Sequence, residues 1–352
     1  MSSFAAVRRL PAHSPGRSAL LVLVACVLVG CTQPRSAPPA TAPTAKPGAV
    51  GVPAGTRLSI ATGGTGGVYF PLGGGLARML ERHLGVQATA EETPGSVDNM
   101  KLVNEHRKDL IAFSLADTAY DALQGRERLK ETGPIAVRSL GIIYANFMHL
   151  VTTEGSGIET VTDLRGKRVS VGAPGSGTET KANRVLEAYG LDPAQDIQRD
   201  RLGVAESAGA LKDRKLDAFF WDGGLPTSAV TDLANTPGLT IKLIPHGDAV
   251  PKMREKYGAF YTQATIPKET YQGLAAEVQV AGTPNILAVH EEFPEDVAYA
   301  VLATIFDHKA EWDAIHPEAK NTSLDAASRN NPVPLHPGAI RFYRDRGVHQ
   351  GG

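Results

Sequence analysis

Apolar residues along this chain fall into short runs separated by glycine-rich turns and amphipathic stretches. RLSIA (57–61) reads as a strand, PLGGGLARMLERHL (71–84) as a helix with an apolar stripe, and VQATAEE (86–92) as a second strand. PGSVDNMKLVNEH (94–106) predicts a helix with Ser96 as its N-cap, and DLIAFSLAD (109–117) predicts a buried strand. The order βαβαβ then recurs: strand KRVSVGA (167–173), turn and helix PGSGTETKANRVLEAYG (174–190), strand DIQRDRLG (196–203), helix AESAGALKDRKL (205–216), strand DAFFWDGG (217–224). Two copies of one plan predict an α/β chain of two lobes built on mostly parallel strands, with a ligand cleft beyond the strands' carboxyl ends.

GIIYANFMHLVTTEG (141–155) reads as a strand that leaves the first lobe for the second, and NILAVHEEF (285–293) returns the chain ahead of a helical stretch at 294–312. The expected boundaries are 57–145 plus 285–352 for lobe 1 and 146–284 for lobe 2, with a hinge at the two crossings. Two independent domains in series would also fit the pattern.

The first thirty residues break this alternation. Arg8, Arg9 and Arg17 precede ALLVLVACVLVG (19–30), which is too short to span a bilayer and suits the core of a signal peptide. The run closes on Leu28-Val29-Gly30-Cys31, an ending similar to a bacterial lipobox. It predicts a leader over 1–30, cleavage before Cys31 and a lipid on the Cys31 thiol; a plain signal peptide is the alternative. Cys26, the other cysteine, falls inside the leader, so the mature chain has no partner for a disulfide. TQPRSAPPATAPTAKPGAVGVPAG (32–55) has almost no bulky apolar residue and reads, within 31–56, as a tether. A composition of 42% hydrophobic and 21% charged residues with a formal charge of -1 gives no basic excess for nucleic acid.

The chemistry concentrates at ATGGTGGVYFPLGGGL (61–76), where a strand, a glycine turn and a helix start leave backbone amides free to meet an anion. A dinucleotide fingerprint fails there, because Tyr69 stands where its third glycine belongs, although Glu91 and Glu92 lie roughly where a ribose-binding acid would. No phosphate-loop motif occurs, Ser176 does not sit in G-x-S-x-G, and ten histidines show no metal-ligand spacing. The reading is therefore a binding protein without catalysis, cofactor or metal. Three helix starts are the candidates: Thr65, Gly66, Gly67, Val68 and Tyr69 in the first turn, Ser96 and Asn99 in the second, and Gly175 to Thr178 in the third. Each alone fits an ordinary helix cap, whereas three facing one cleft suit a small organic anion held by neutral donors and dipoles. Tyr69, Tyr120, Tyr144 and Trp221 are the expected aromatic lining.

Six ordered motifs over residues 57–347 resemble the TAXI family of TRAP-transporter solute receptors: ATGGTGGVYFPLGGGLA, TPGSVDN (93–99), FSLADTAYDA (113–122), DLRGKRVSVGAPGSGTE (163–179), LKDRKLDAFFWDGG (211–224) and LHPGAIRFYRDRG (335–347). The resemblance implies a hinged, two-lobed periplasmic-binding-protein fold closing on one ligand, with integral-membrane TRAP subunits as partners and glutamate, glutamine or a related dicarboxylate as the default ligand. By matching motifs it carries ligand contact onto Thr65, Gly67, Tyr69, Ser96, Asp117, Ser176, Gly177 and Thr178. Leu115 departs from the pattern, since many relatives have Gln there. An ABC-type receptor for a sulfonate or a pyrimidine precursor shares the implied fold and is the alternative.

Overall fold

A computed structural model describes residues 51–348. The predicted leader, Cys31 and most of the predicted tether lie outside the described residues. The first part of the chain runs β1 (Arg57–Ala61), α1 (Tyr69–Leu84), β2 (Gln87–Glu91), α2 (Ser96–Glu105), β3 (Leu110–Leu115) and α3 (Ala116–Gln124). The middle runs β4 (Val137–Thr153), β5 (Arg168–Ser170), α4 (Gly177–Ala188), β6 (Gln198–Asp200), α5 (Val204–Lys212), β7 (Ala218–Gly223), α6 (Ser228–Ala234), β8 (Ile241–Leu243), α7 (Val250–Tyr257), β9 (Thr262–Ile266) and β10 (Val278–His290). Helix α8 (Glu295–Asp307) and three shorter helices, Lys309–Asp313, Leu324–Ser328 and Pro337–Asp345, follow.

The strands hydrogen-bond in the order β2-β1-β3-β10-β4-β7-β5-β6, with β8 beside β4 and β9 beside β10. Both ends of this path are parallel: Ile60 of β1 pairs with Ala90 and Ile111, and Val169 of β5 pairs with Arg199 and Ala218. The centre is antiparallel, because β4 and β10 run through it in opposite directions from Val137/His290 to Phe147/Gly282. These two strands correct the expectation of mostly parallel pairing, since a chain that crosses from lobe to lobe and returns must lay its two crossings side by side in opposite senses.

Alternation along the strands places a core on each face of the sheet. In one half Ile111 and Leu287 pack with Leu72, Leu76, Phe113 and Trp312, while Ala112 and Ile286 pack on the other face with Met100 and Ala119. In the other half Phe220 packs with Val169, Val185 and Tyr261, and Phe219 packs oppositely with Leu211, Val230 and Val280. β3, buried at every position, shows the continuous apolar run of a strand covered on both faces.

Three local expectations change. Ser96 is the first helical residue of α2, not its cap; Gly95 takes the N-cap position at φ 126°, a conformation that favours glycine. Asp117 lies in the first turn of α3, because the strand stops at Leu115 and the chain enters a helix closed by left-handed Gly125. The stretch 294–312 is two helices divided at His308.

Candidate functional site

The glycine turn after β1 is pressed against the second half of the molecule. Gly67 N–H closes the turn on the Gly64 carbonyl at 3.0 Å, and Thr65 N–H donates to Glu92 Oε1 at 3.2 Å. Thr65 is exposed, so the structure leaves it at the rim. The Gly66 carbonyl accepts from Ser228 Oγ at 3.0 Å and from Ala229 N–H at 3.3 Å, and a Cβ at Gly66 would stand 3.1 Å from the Ala229 Cβ. A Cβ at Gly67 would lie 2.9 Å from the Trp221 ring. Glycine permits this approach of backbone to backbone and backbone to indole.

A second junction joins the starts of α2 and α4. The Gly175 carbonyl accepts from both Val97 N–H and Asp98 N–H at 3.1 Å, so two amides expected to meet a ligand anion are engaged by the facing half. Ser96 Oγ accepts from Leu115 N–H at 3.0 Å, and a side chain at Gly177 would run into Leu115. Leu115, 2% exposed, therefore packs at the junction. Ser176 Oγ caps α4 by accepting from Glu179 N–H at 3.1 Å, and Thr178 Oγ1 accepts from Asp222 N–H at 3.3 Å. Asn99 is a brace: its amide group donates to the Thr62 and Phe113 carbonyls at 2.7 and 2.8 Å and its oxygen accepts from Thr93.

Between the glycine turn and the crossing strands lies a cavity of about 20 Å³ whose wall includes Gly67, Val68, Tyr69, Tyr144, Trp221 and Asp222. That is room for about one water molecule, so any larger solute enters only when the halves part. A groove of about 570 Å³ lies instead at the junction of α2 and α4, with Asp98, Lys101, Glu127, Arg128, Lys130 and Arg201 giving it both signs of charge. Tyr120 takes no part in the cavity wall; its ring meets Phe260 at 5.4 Å. Trp221 is half-buried with its Nε1–H on Thr227 Oγ1 at 2.8 Å, whereas Trp312 is fully buried in the core.

Buried charge lies at the cavity wall and between α3 and α4. Lys181 Nζ reaches both oxygens of Asp222 at 3.0 Å, and neither side chain is exposed. Arg184 bonds to Asp121 across the junction and donates to Tyr261 Oη at 2.7 Å, while Tyr261 donates to Asp117 Oδ2 at 2.6 Å. Asp117 thus belongs to an ion-pair cluster that ties α3 to α4. Burial pushes the Asp222 carboxyl up to about 6, against the opposing pull of Lys181, and burial likewise pushes Asp121 up to about 6 against Arg184. Burial also raises the Tyr69 and Tyr144 hydroxyls, which stay protonated.

Lys181, Arg184, Asp222, Tyr261, Asn146 and Asn285 do not emerge from the sequence motifs. A signal existed for Lys181 and Arg184: GTETKANRVLEA has polar residues all round, and a helix of that kind packs against another polar body or against solvent. Here Thr178, Glu179, Lys181 and Arg184 are all buried. No group of three or more metal-ligating side chains occurs among the described residues.

Two α/β halves, each with parallel outer strands, joined by two antiparallel crossings and facing each other at their strands' carboxyl ends, define the two-lobed fold of periplasmic binding proteins. Malate-bound MatC from Rhodopseudomonas palustris has this fold, at 12% identity and a TM-score of 0.52 over 83% of this chain and 96% of that one. The periplasmic binding protein BugD is similar at 13% identity and a TM-score of 0.50, over 84% of this chain and 95% of its own. The chain belongs to the NMT1-like family, whose family model matches residues 60–347. No helix among the described residues is long and apolar enough to cross a membrane.

Proposed function

We propose that this chain is the extracytoplasmic solute-binding receptor of a TRAP-type secondary transporter, and that it closes over a small organic anion such as glutamate, glutamine or a related dicarboxylate. The observation that carries the reading is the small cavity at the strand ends, where the glycine turn of one half meets Tyr144, Trp221 and Asp222. In this reading residues 57–145 plus 285–352 and residues 146–284 move as two lobes about β4 and β10. Gly67, Val68, Tyr69 and Trp221 touch the solute. Gly66, Ser96, Ser176, Gly177 and Thr178 form the surfaces that meet on closure, Asn99 braces α2, and Asp117 helps to latch the closed form. Nothing in this arrangement calls for a reaction step or a cofactor. The leader and Cys31 make the mature protein a lipid-anchored envelope receptor that hands its solute to membrane subunits.

Tryptophan emission tests the placement. L-glutamate, L-glutamine, L-malate and an alkanesulfonate are titrated into wild type, Trp312→Phe and Trp221→Phe. The reading expects a ligand-dependent change in the first two proteins and loss of most of it in the third. A signal that vanishes in Trp312→Phe and survives in Trp221→Phe puts the solute elsewhere.

A further inference from the structure

The crossing strands carry polar atoms that the protein itself leaves without partners. Tyr144 and Asn285 are register partners, and Asn146 follows two residues on, so the three side chains share the sheet face that meets Tyr69. The register shifts between Asn285 and Ile286, a bulge of the kind that re-aims side chains beside sites. Asn285 Oδ1 accepts from Tyr69 Oη and from Asn146 Nδ2, the latter at 3.0 Å. The Tyr144 hydroxyl, Asn146 Oδ1 and Asn285 Nδ2 have no hydrogen-bond partner, although Asn146 and Asn285 are fully buried and Tyr144 is 3% exposed. One such atom is costly, and three on one face, with Tyr144 in the cavity wall and Asn146 and Asn285 linked to it through Tyr69, mark a place prepared for a polar guest.

From this we infer that Tyr144, Asn146 and Asn285 recognise an uncharged group that both donates and accepts hydrogen bonds, such as a carboxamide or an alcohol, on a ligand with a single carboxylate. The inference rests on the receptor reading and narrows it. Asn285 offers a donor, Asn146 an acceptor and Tyr144 either. An ionised carboxylate has no proton for Asn146, and it would approach the Asp222 carboxylate in the cavity wall. The buried cation bonded to that wall, Lys181, is committed to Asp222, and the buried Arg184 of the same helix is committed to Asp121 and Tyr261. The ligand's one carboxylate is then left to the start of α1, where the helix dipole and the amides not engaged within the turn favour it.

Two measurements test this on protein unfolded and refolded to strip bound solute. Binding is compared within the pairs L-glutamine/L-glutamate and succinamate/succinate. The carboxamide is expected to bind at least tenfold more tightly in each pair that binds, and Tyr144→Phe and Asn146→Ala are each expected to weaken it at least tenfold. Tighter binding of the carboxylates, or unchanged affinity in both variants, overturns the assignment. The second measurement needs no ligand: thermal unfolding of Tyr144→Phe should match or exceed wild type, because an unpartnered buried hydroxyl is removed. A midpoint several degrees lower shows a hydroxyl with a structural partner and overturns the assignment whatever binds. If no probe binds while Tyr144→Phe holds its midpoint, the choice of small acids in the receptor reading fails and the polar set on the crossing strands stands.

Discussion

His149 shows how burial sets the charge of a single side chain. Its Nδ1 bonds the Phe147 carbonyl at 2.8 Å and its Nε2 the Tyr271 hydroxyl at 2.9 Å, and burial pushes its pKa from 6.5 down to about 4. The folded protein rejects the proton that an unfolded chain accepts. The stability this provides is complete above pH 6.5 and is lost as the pH falls toward 4, about 3 kcal/mol over the window. The fall in unfolding free energy between pH 7 and pH 4 should therefore be smaller in His149→Gln than in wild type by up to that amount, and parallel curves would refute it. Glycines of the junction act through shape instead. Gly67→Val meets Trp221 and Gly177→Val meets Leu115, so each should weaken binding of any positive probe at least tenfold with an unchanged circular-dichroism spectrum. Full affinity in either variant would show that closure does not bring those surfaces together. Glycine turns are legible in a sequence because their conformational demand is local. The partners of Ser96 and Asn99 are not, because a polar side chain's partner, here the backbone just after β1 and within β3, is chosen by folding.

In the proposed closure, helix α4 is one side of a latch. Its Arg184 reaches Asp121 of α3, and its Glu179 gathers Arg199 and Arg201 from its own half and Arg128 from the other. Removing one partner of a buried pair costs about 3–5 kcal/mol when the other stays buried, unless the halves separate and let water in. Arg184→Met is therefore expected to lower the unfolding midpoint by several degrees and to enlarge the radius of gyration of the ligand-free protein in X-ray scattering. An unchanged radius together with an unchanged midpoint would mean that the latch does not hold the closed form. Elements with apolar runs, β3 and β7, could be read directly from the chain. The outer part of β10 could not, since Gly282 and Pro284 look like strand breakers; both lie in a stretch paired with β4. Helix α3 hides in the sequence as well, because ADTAYDALQ follows the apolar LIAFSL without a turn residue between them.

For the molecule as a whole, the repeated βαβαβ plan was legible because each lobe folds on local periodicity. How closely the lobes meet was not, because it depends on charges brought together from distant segments such as Asp121 and Arg184. The proposed anchor belongs to this scale: Cys31→Ala should release the protein from the membrane fraction or leave an unprocessed precursor, and unchanged membrane retention with acylation would refute it. The position of β10 has a further consequence, for synthesis and export. It lies between β3 and β4 in the middle of the sheet, yet it is the last strand among the described residues. No fragment that stops short of residue 278 can join the two halves of the sheet, and β3 and β4 wait with open edges until β10 arrives. Such late, long-range pairing makes folding slow relative to chain emergence. For a chain proposed to cross a membrane unfolded, that delay keeps it threadable until its C-terminal quarter is through.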